Sequence, residues 1–211
     1  MKTEKDFEAT IEHDLIERGG YRSGNRDDYD RASALFPDHL IDFIQATQPA
    51  LWDEFKQSHG DGLRTGLLDA VTKHLDKAGT LEVLRHGFKF YGRRIDAAYF
   101  RPAHGLNPEV QQRYAQNIVA VNRQVKFNPE GEDSVDMVLS VNGLPVATLE
   151  LKNSLTGQKV ENAVRQYKYD RDPRLPLFLS GTFCGIAGMT MRRFSNAKGL
   201  ARWTTVFSFA K

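Results

Sequence analysis

Ser134-Val-Asp-Met-Val-Leu-Ser-Val-Asn-Gly-Leu-Pro-Val-Ala-Thr-Leu-Glu-Leu-Lys-Asn153 is two β-rich runs joined at Asn142-Gly143, a dipeptide that accepts the positive φ values of a tight hairpin turn. The pattern predicts strands over 135–140 and 146–152, paired antiparallel. Strand side chains alternate between faces, so Glu150 and Lys152 share one side while Leu149 and Leu151 take the other. Folding around residues 142 to 145 carries Asp136, at the open end of the first strand, toward Glu150 and Lys152, although 14 and 16 residues separate them in sequence.

Two carboxylates brought together suit Mg²⁺, a hard cation that prefers oxygen ligands and commonly retains waters and a substrate phosphate. Such an ion stabilises charge on a phosphodiester under attack and lowers the pKa of bound water, and a neighbouring lysine can orient that water. Asp136, Glu150 and Lys152 have the chemistry for these roles. The same three residues on a two-stranded ribbon also read as solvated side chains or as a surface ion pair of little worth. What speaks for a site is the flank. Leu149-Glu150-Leu151-Lys152 lies in an apolar strand, and a charge placed there needs a partner.

Upstream of the hairpin the pattern is first helical. Phe7, Ile11 and Leu15 recur every four residues from Thr3 to Arg18, and Gly19-Gly20 provides a stop. Leu40, Ile41, Phe43 and Ile44, then Leu51, Trp52 and Phe55, predict two helices broken at Pro49. Leu67, Leu68, Val71 and Leu75 predict another over Gly66 to Asp76. After Gly79 the signal turns to strands over Thr80 to Leu84, Phe88 to Tyr91 and Arg94 to Phe100. A short helix over Gln111 to Asn117 and a half-buried strand over Ile118 to Phe127 follow. Downstream, Val160, Ala163, Val164 and Tyr167 mark a helix over Lys159 to Asp170 that Pro173 cannot continue, with further strands expected over Leu177 to Gly181 and Thr204 to Phe209.

A chain of 211 residues with 40% hydrophobic content can bury a substantial single core. The 29 basic and 27 acidic side chains leave a formal charge of +2, which neither demands nor forbids a polyanionic partner. Cys184 is alone and cannot form an internal disulfide, and Lys2, Glu4, Lys5 and Asp6 supply none of the apolar core of a signal peptide. The expected compartment is the reducing cytoplasm. Apolar runs such as 135–141 are too short to span a bilayer, so no membrane association is expected.

The hairpin resembles, almost residue for residue, the signature of the N-terminal region of type I restriction enzyme R subunits, a nuclease region of the PD-(D/E)xK class. Gly19-Gly-Tyr21, Thr47-Gln-Pro49, Arg85-His-Gly-Phe88, Pro102 to Pro108 and Asn122-Arg-Gln124 fall in the same order as in that family. The resemblance runs from about residue 4 to 181. It implies a restriction-endonuclease-like α/β fold: a mixed central sheet flanked by helices, with a helical N-terminal region. The endonuclease domain would cover 1–181, helical to about 78 and catalytic from about 79, followed by a tail over 182–211. It further implies that Asp136, Glu150 and the Leu151 backbone carbonyl ligate Mg²⁺, and that Lys152 serves the attacking water. Glu8 would be a further acidic member on the first helix, although its spacing of four from Glu12 also fits a solvated face.

Nucleases of this class tend to carry a Gln followed four residues later by a Tyr on the next helix. Here Gln166 is followed by Tyr167 and Tyr169, so the spacing departs. The expected DNA contacts are Arg165, Gln166, Lys168 and Tyr169, with Arg171 and Arg174 adding positive charge nearby. The resemblance implies double-stranded DNA and the methyltransferase and specificity subunits of a type I restriction complex as partners. An ATPase motor follows the nuclease region in the family, whereas these 211 residues contain no Gly-x4-Gly-Lys-Ser/Thr phosphate loop, so no ATP hydrolysis is expected of them. A truncated R fragment that binds DNA or the methyltransferase without cutting is the alternative expectation. The six histidines show no metal-ligand spacing, and Cys184 has no nucleophilic arrangement around it.

Overall fold

The computed structural model describes residues 4–102, 107–151, 165, 169–181 and 184–187. The chain opens with α1 (Glu4–Gly19), whose Phe7 and Ile11 are buried at the expected four-residue spacing. Gly20, at φ 71°, turns it into the two-residue strand β1 (Arg22–Ser23). Helices α2 (Pro37–Thr47) and α3 (Pro49–His59) each begin with a proline in the first turn, where its missing N–H costs nothing. Gln48 joins them, donating to the Asp96 carbonyl at 3.0 Å and accepting from the Asp96 N–H at 2.9 Å. Helix α4 (Leu63–Ala78) buries Leu63, Leu67, Val71 and Leu75 along one stripe.

Thr80 to Leu84, expected as a strand, is instead the first part of helix α5 (Thr80–His86). Its buried residues Thr80, Val83 and Leu84 stand at helical spacing, and Gly79 (φ 80°) and Gly87 (φ 69°) bound it on either side. The small hairpin β2 (Phe88–Phe90) and β3 (Arg93–Ile95) follows. Helix α6 (Pro108–Ala115) is capped by Asn107, whose side chain accepts from the Glu109 and Val110 N–H groups.

The main sheet is mixed, in the order β1-β4-β5-β6-β7, built with β4 (Val119–Lys126), β5 (Ser134–Val141), β6 (Leu144–Glu150) and β7 (Cys184–Ala187). Strands β4, β5 and β6 run antiparallel in sequence order, while β1 joins β4, and β7 joins β6, in parallel. The hairpin between β5 and β6 turns at Asn142 (φ 49°) and Gly143 (φ 81°), as expected of that dipeptide, with Val141 paired to Leu144. Leu177–Gly181, expected as a strand, is a π-helical turn whose Leu177 is buried. The last strand of the sheet lies further on, at β7. The helix expected over Lys159 to Asp170 falls mostly outside the described residues, and the strand expected over Thr204 to Phe209 falls wholly outside them.

One large core joins Phe7 and Ile11 of α1 to the apolar stripes of α2, α4 and α5 and to Val119, Val121, Met137, Leu139, Leu149 and Leu151 of the sheet region. A second cluster gathers Tyr29, Phe36, Val125, Phe127, Val135, Val138 and Leu177. The protein is therefore α/β, with a mixed sheet and helices packed on it. No described helix is long and apolar enough to cross a membrane.

Candidate active site

Asp136 and Glu150 stand on neighbouring strands, each one residue beyond the Met137–Leu149 pair toward the open end of the hairpin. The half-buried Asp136 accepts the Leu151 backbone N–H on Oδ2 at 2.6 Å and the Gln124 side-chain amide on Oδ1 at 3.4 Å. Leu151 thus contributes its N–H to orienting Asp136, a role that the sequence did not indicate.

Glu150 is 1% exposed, and the partner that burial requires is Arg171. The Arg171 guanidinium donates to Glu150 Oε1 through Nε at 3.2 Å and also through Nη2, which reaches the Ser134 carbonyl at 2.8 Å as well. It lies 4.9 Å from the Phe127 ring centroid, a distance at which a cation is attracted to the ring face. Arg171 was expected to add charge for phosphate. It is turned inward instead, where it gives the buried Glu150 carboxylate a charged partner.

Glu8 is 2% exposed, so its reading as a solvated helix residue is corrected. It approaches the sheet from α1 and accepts from Arg123 Nε at 3.2 Å and Gln124 Nε2 at 2.9 Å. Arg123 also pairs with Glu12 at 3.3 Å and donates to the Lys5 carbonyl. Burial, and then repulsion from Asp136, push the Glu8 carboxyl above its ordinary pKa, against the hydrogen bonds and charge of Arg123 and the bond from Gln124.

Lys152, Gln166 and Lys168 lie outside the described residues. Arg165 and Tyr169 are exposed, and Arg174 is held by Asp172. Two open clefts share Gln124 and Arg26. One is bordered by Lys5, Glu8, Glu12 and Arg123, the other by Tyr29, Arg31 and Lys126. Sequence reasoning assigned no role to Arg123 or Gln124, although Asn122-Arg-Gln124 carried part of the resemblance; for the Glu150–Arg171 pair it had no signal.

Among the described residues no group of three His, Cys, Asp or Glu side chains is arranged to hold a metal ion. Mg²⁺ asks for less than that, since it is commonly bound through one or two carboxylates with water and phosphate completing the shell. The donor set is all oxygen, and the repulsion between Glu8 and Asp136 is of the kind a dication relieves. The residues present fit such an ion.

Comparison with curated proteins returns no match. A family model described as the type I restriction enzyme R protein N terminus matches residues 1–184, which include α1, the full β5–β6 hairpin and every site residue named above. The chain belongs to the family of type I restriction enzyme R protein N-terminal regions.

Proposed function

We propose that this chain is the nuclease region of a type I restriction R subunit, a PD-(D/E)xK-type endodeoxyribonuclease that hydrolyses DNA phosphodiesters with Mg²⁺. The observation that carries the reading is Asp136 fixed by the Leu151 N–H at the open end of the hairpin, with Glu150 beside it and Glu8 approaching from α1. Asp136, Glu150 and the Leu151 carbonyl would hold the ion. When bound, it supplies a water of lowered pKa and positive charge for the phosphorane-like transition state.

The chain's own residues supply orientation. Hydrogen bonds fix the Asp136 carboxylate before any substrate arrives, so little reorganisation remains at the moment of reaction. Lys152 would orient the attacking water. Arg165, Gln166, Lys168 and Tyr169 would meet the DNA backbone, and Lys5 and Arg26, which border the cleft above Glu8, add counter-charge for phosphate. Double-stranded DNA is the substrate class, and the methyltransferase and specificity subunits are the proposed partners, with site choice left to them.

Incubation of supercoiled plasmid with the full chain in Mg²⁺ or Mn²⁺ tests this reading. Nicking that is lost in chelator and in folded Asp136→Ala and Glu150→Ala variants is the expected result. Nicking that survives both substitutions would overturn it. A second reading is favoured by the Glu150–Arg171 pair, which already neutralises one of the two carboxylates. On that reading the chain binds DNA or the methyltransferase complex without cutting, and it would show stable partner binding with no nicking under any metal.

A further inference from the structure

Gln124 stands inside β4 at φ 52°, a left-handed conformation that a non-glycine residue adopts only under constraint. The strand register does not slip there. Arg123 pairs with Met137 and Val125 with Val135 on either side of it, so the excursion does not serve to insert a residue.

What changes is the side to which residues point. Successive strand residues ordinarily face opposite ways, yet Arg123 and Gln124 both reach Glu8. Before this point the odd-numbered Val119 and Val121 belong to the main core, and after it the odd-numbered Val125 and Phe127 belong to the second cluster. Strand β5 makes the matching change, with Val135 in the second cluster and Met137 and Leu139 in the main core. The left-handed residue thus turns a side chain that simple alternation would aim away from Glu8 toward it. Its amide then meets two carboxylates, donating to Glu8 Oε1 at 2.9 Å and to Asp136 Oδ1 at 3.4 Å. A primary amide has two N–H donors, enough for one to each.

We propose that Gln124 is a positioning residue, whose side-chain amide holds the Glu8 and Asp136 carboxylates in the arrangement that receives the cation. The inference rests on the nuclease reading and adds to it a residue that sets up the ion site from outside the acidic set. Backbone strain at one rung of the sheet is the means by which the site is preorganised.

The test uses the full chain, Mn²⁺ as the probe, calorimetry for affinity and thermal melting in chelator and in Mn²⁺. Gln124→Gly removes the amide and suits the left-handed backbone. It is expected to melt close to the wild type in chelator, as relief of the left-handed backbone offsets the lost amide bonds, while binding Mn²⁺ about tenfold more weakly, the scale of losing a group that orients a metal ligand. Gln124→Glu keeps the side-chain length and replaces the donor by a third carboxylate. It is expected to melt lower than the wild type in chelator and to regain that loss in Mn²⁺, which a residue serving only the strand geometry would not do. Equal Mn²⁺ affinity in wild type and Gln124→Gly overturns the proposal and leaves the nuclease reading standing, as does a Gln124→Glu loss that Mn²⁺ does not restore. A wild-type chain that binds no Mn²⁺ overturns the nuclease reading and this inference with it.

Discussion

With side-chain exposures of 2% for Glu150 and 8% for Arg171, the pair between them is a buried one. Removing one member of a buried pair costs about 3–5 kcal/mol. Arg171→Met should lower the urea midpoint accordingly, and adding Glu150→Gln should recover much of the loss, because the double variant no longer buries a carboxylate that has lost its guanidinium. A double variant as unstable as the single would show that Arg171 acts mainly through the Ser134 carbonyl and the Phe127 ring. His39 makes a different prediction. Burial, the largest influence, holds its pKa below the ordinary value, with Arg22 acting in the same direction and Asp28, Asp42 and Asp38 opposing; its Nδ1 is buried with no hydrogen-bond partner among the described residues. The folded state therefore favours neutral His39, and its contribution is present above the unfolded-state pKa of about 6.5 and lost as pH falls from there toward the depressed folded value. Urea midpoints measured from about pH 8 to about pH 5 should fall more steeply for the wild type than for His39→Gln, and parallel slopes would remove His39 from the account. At this scale the site was legible in part. Asp136 and Glu150 could be read because hairpin pairing and alternation are local rules, whereas the burial of Glu8 depends on how α1 lies against β4, 115 residues away at Arg123.

The β5–β6 hairpin is the element that the sequence determined best, because its turn and its alternation agree. Its turn is also fixed from outside. Phe36 donates its N–H to the Gly143 carbonyl at 2.8 Å, and a Cβ at Gly143 would stand 2.3 Å from the Phe36 carbonyl oxygen and 2.9 Å from the Leu40 nitrogen. Gly143→Ala combines about 1–2 kcal/mol for a Cβ in a left-handed conformation with about 1–3 kcal/mol for overpacking. At Asn142 the conformation matters less than the side chain, which accepts from the Ile118 N–H at 2.7 Å and donates to the Ala97 carbonyl at 2.9 Å. Asn142→Gly should cost about 1–3 kcal/mol through those unsatisfied groups. Urea denaturation of both variants checks the pair, and a Gly143→Ala chain as stable as the wild type would show that the turn yields where α2 begins. Elements without such agreement were misread. Thr80 to Leu84 contains a Thr and a Val that favour strands, and only its packing with α4 and the sheet selects the helix. Leu177–Gly181 has an apolar run short enough to pass for a strand, but Leu177 is buried in the second cluster while Leu179 is exposed.

At the scale of the molecule, the candidate site is assembled from α1, β4, β5, β6 and the segment around Arg171, so residues 8 to 171 must be in place together. Sequence could not supply that assembly, nor the parallel placement of β7 on β6, because a four-residue strand gives too short a pattern to assign and its partner lies 37 residues earlier at Ala147–Cys184. The same assembly makes the site a reporter of global folding. An ion that binds only the native arrangement stabilises it by mass action, by about 2.7 kcal/mol at a free concentration a hundredfold above its dissociation constant. Because the groups proposed to ligate the ion come from elements that share the main core, Mn²⁺ should move the whole unfolding transition to higher urea or temperature with its slope unchanged, instead of separating a second transition. Asp136→Ala should erase the shift. A shift that persists in that variant would place the ion elsewhere on the protein, and a shift confined to one of two transitions would show that the hairpin and α1 fold as separate units, with the site joined only when both are native.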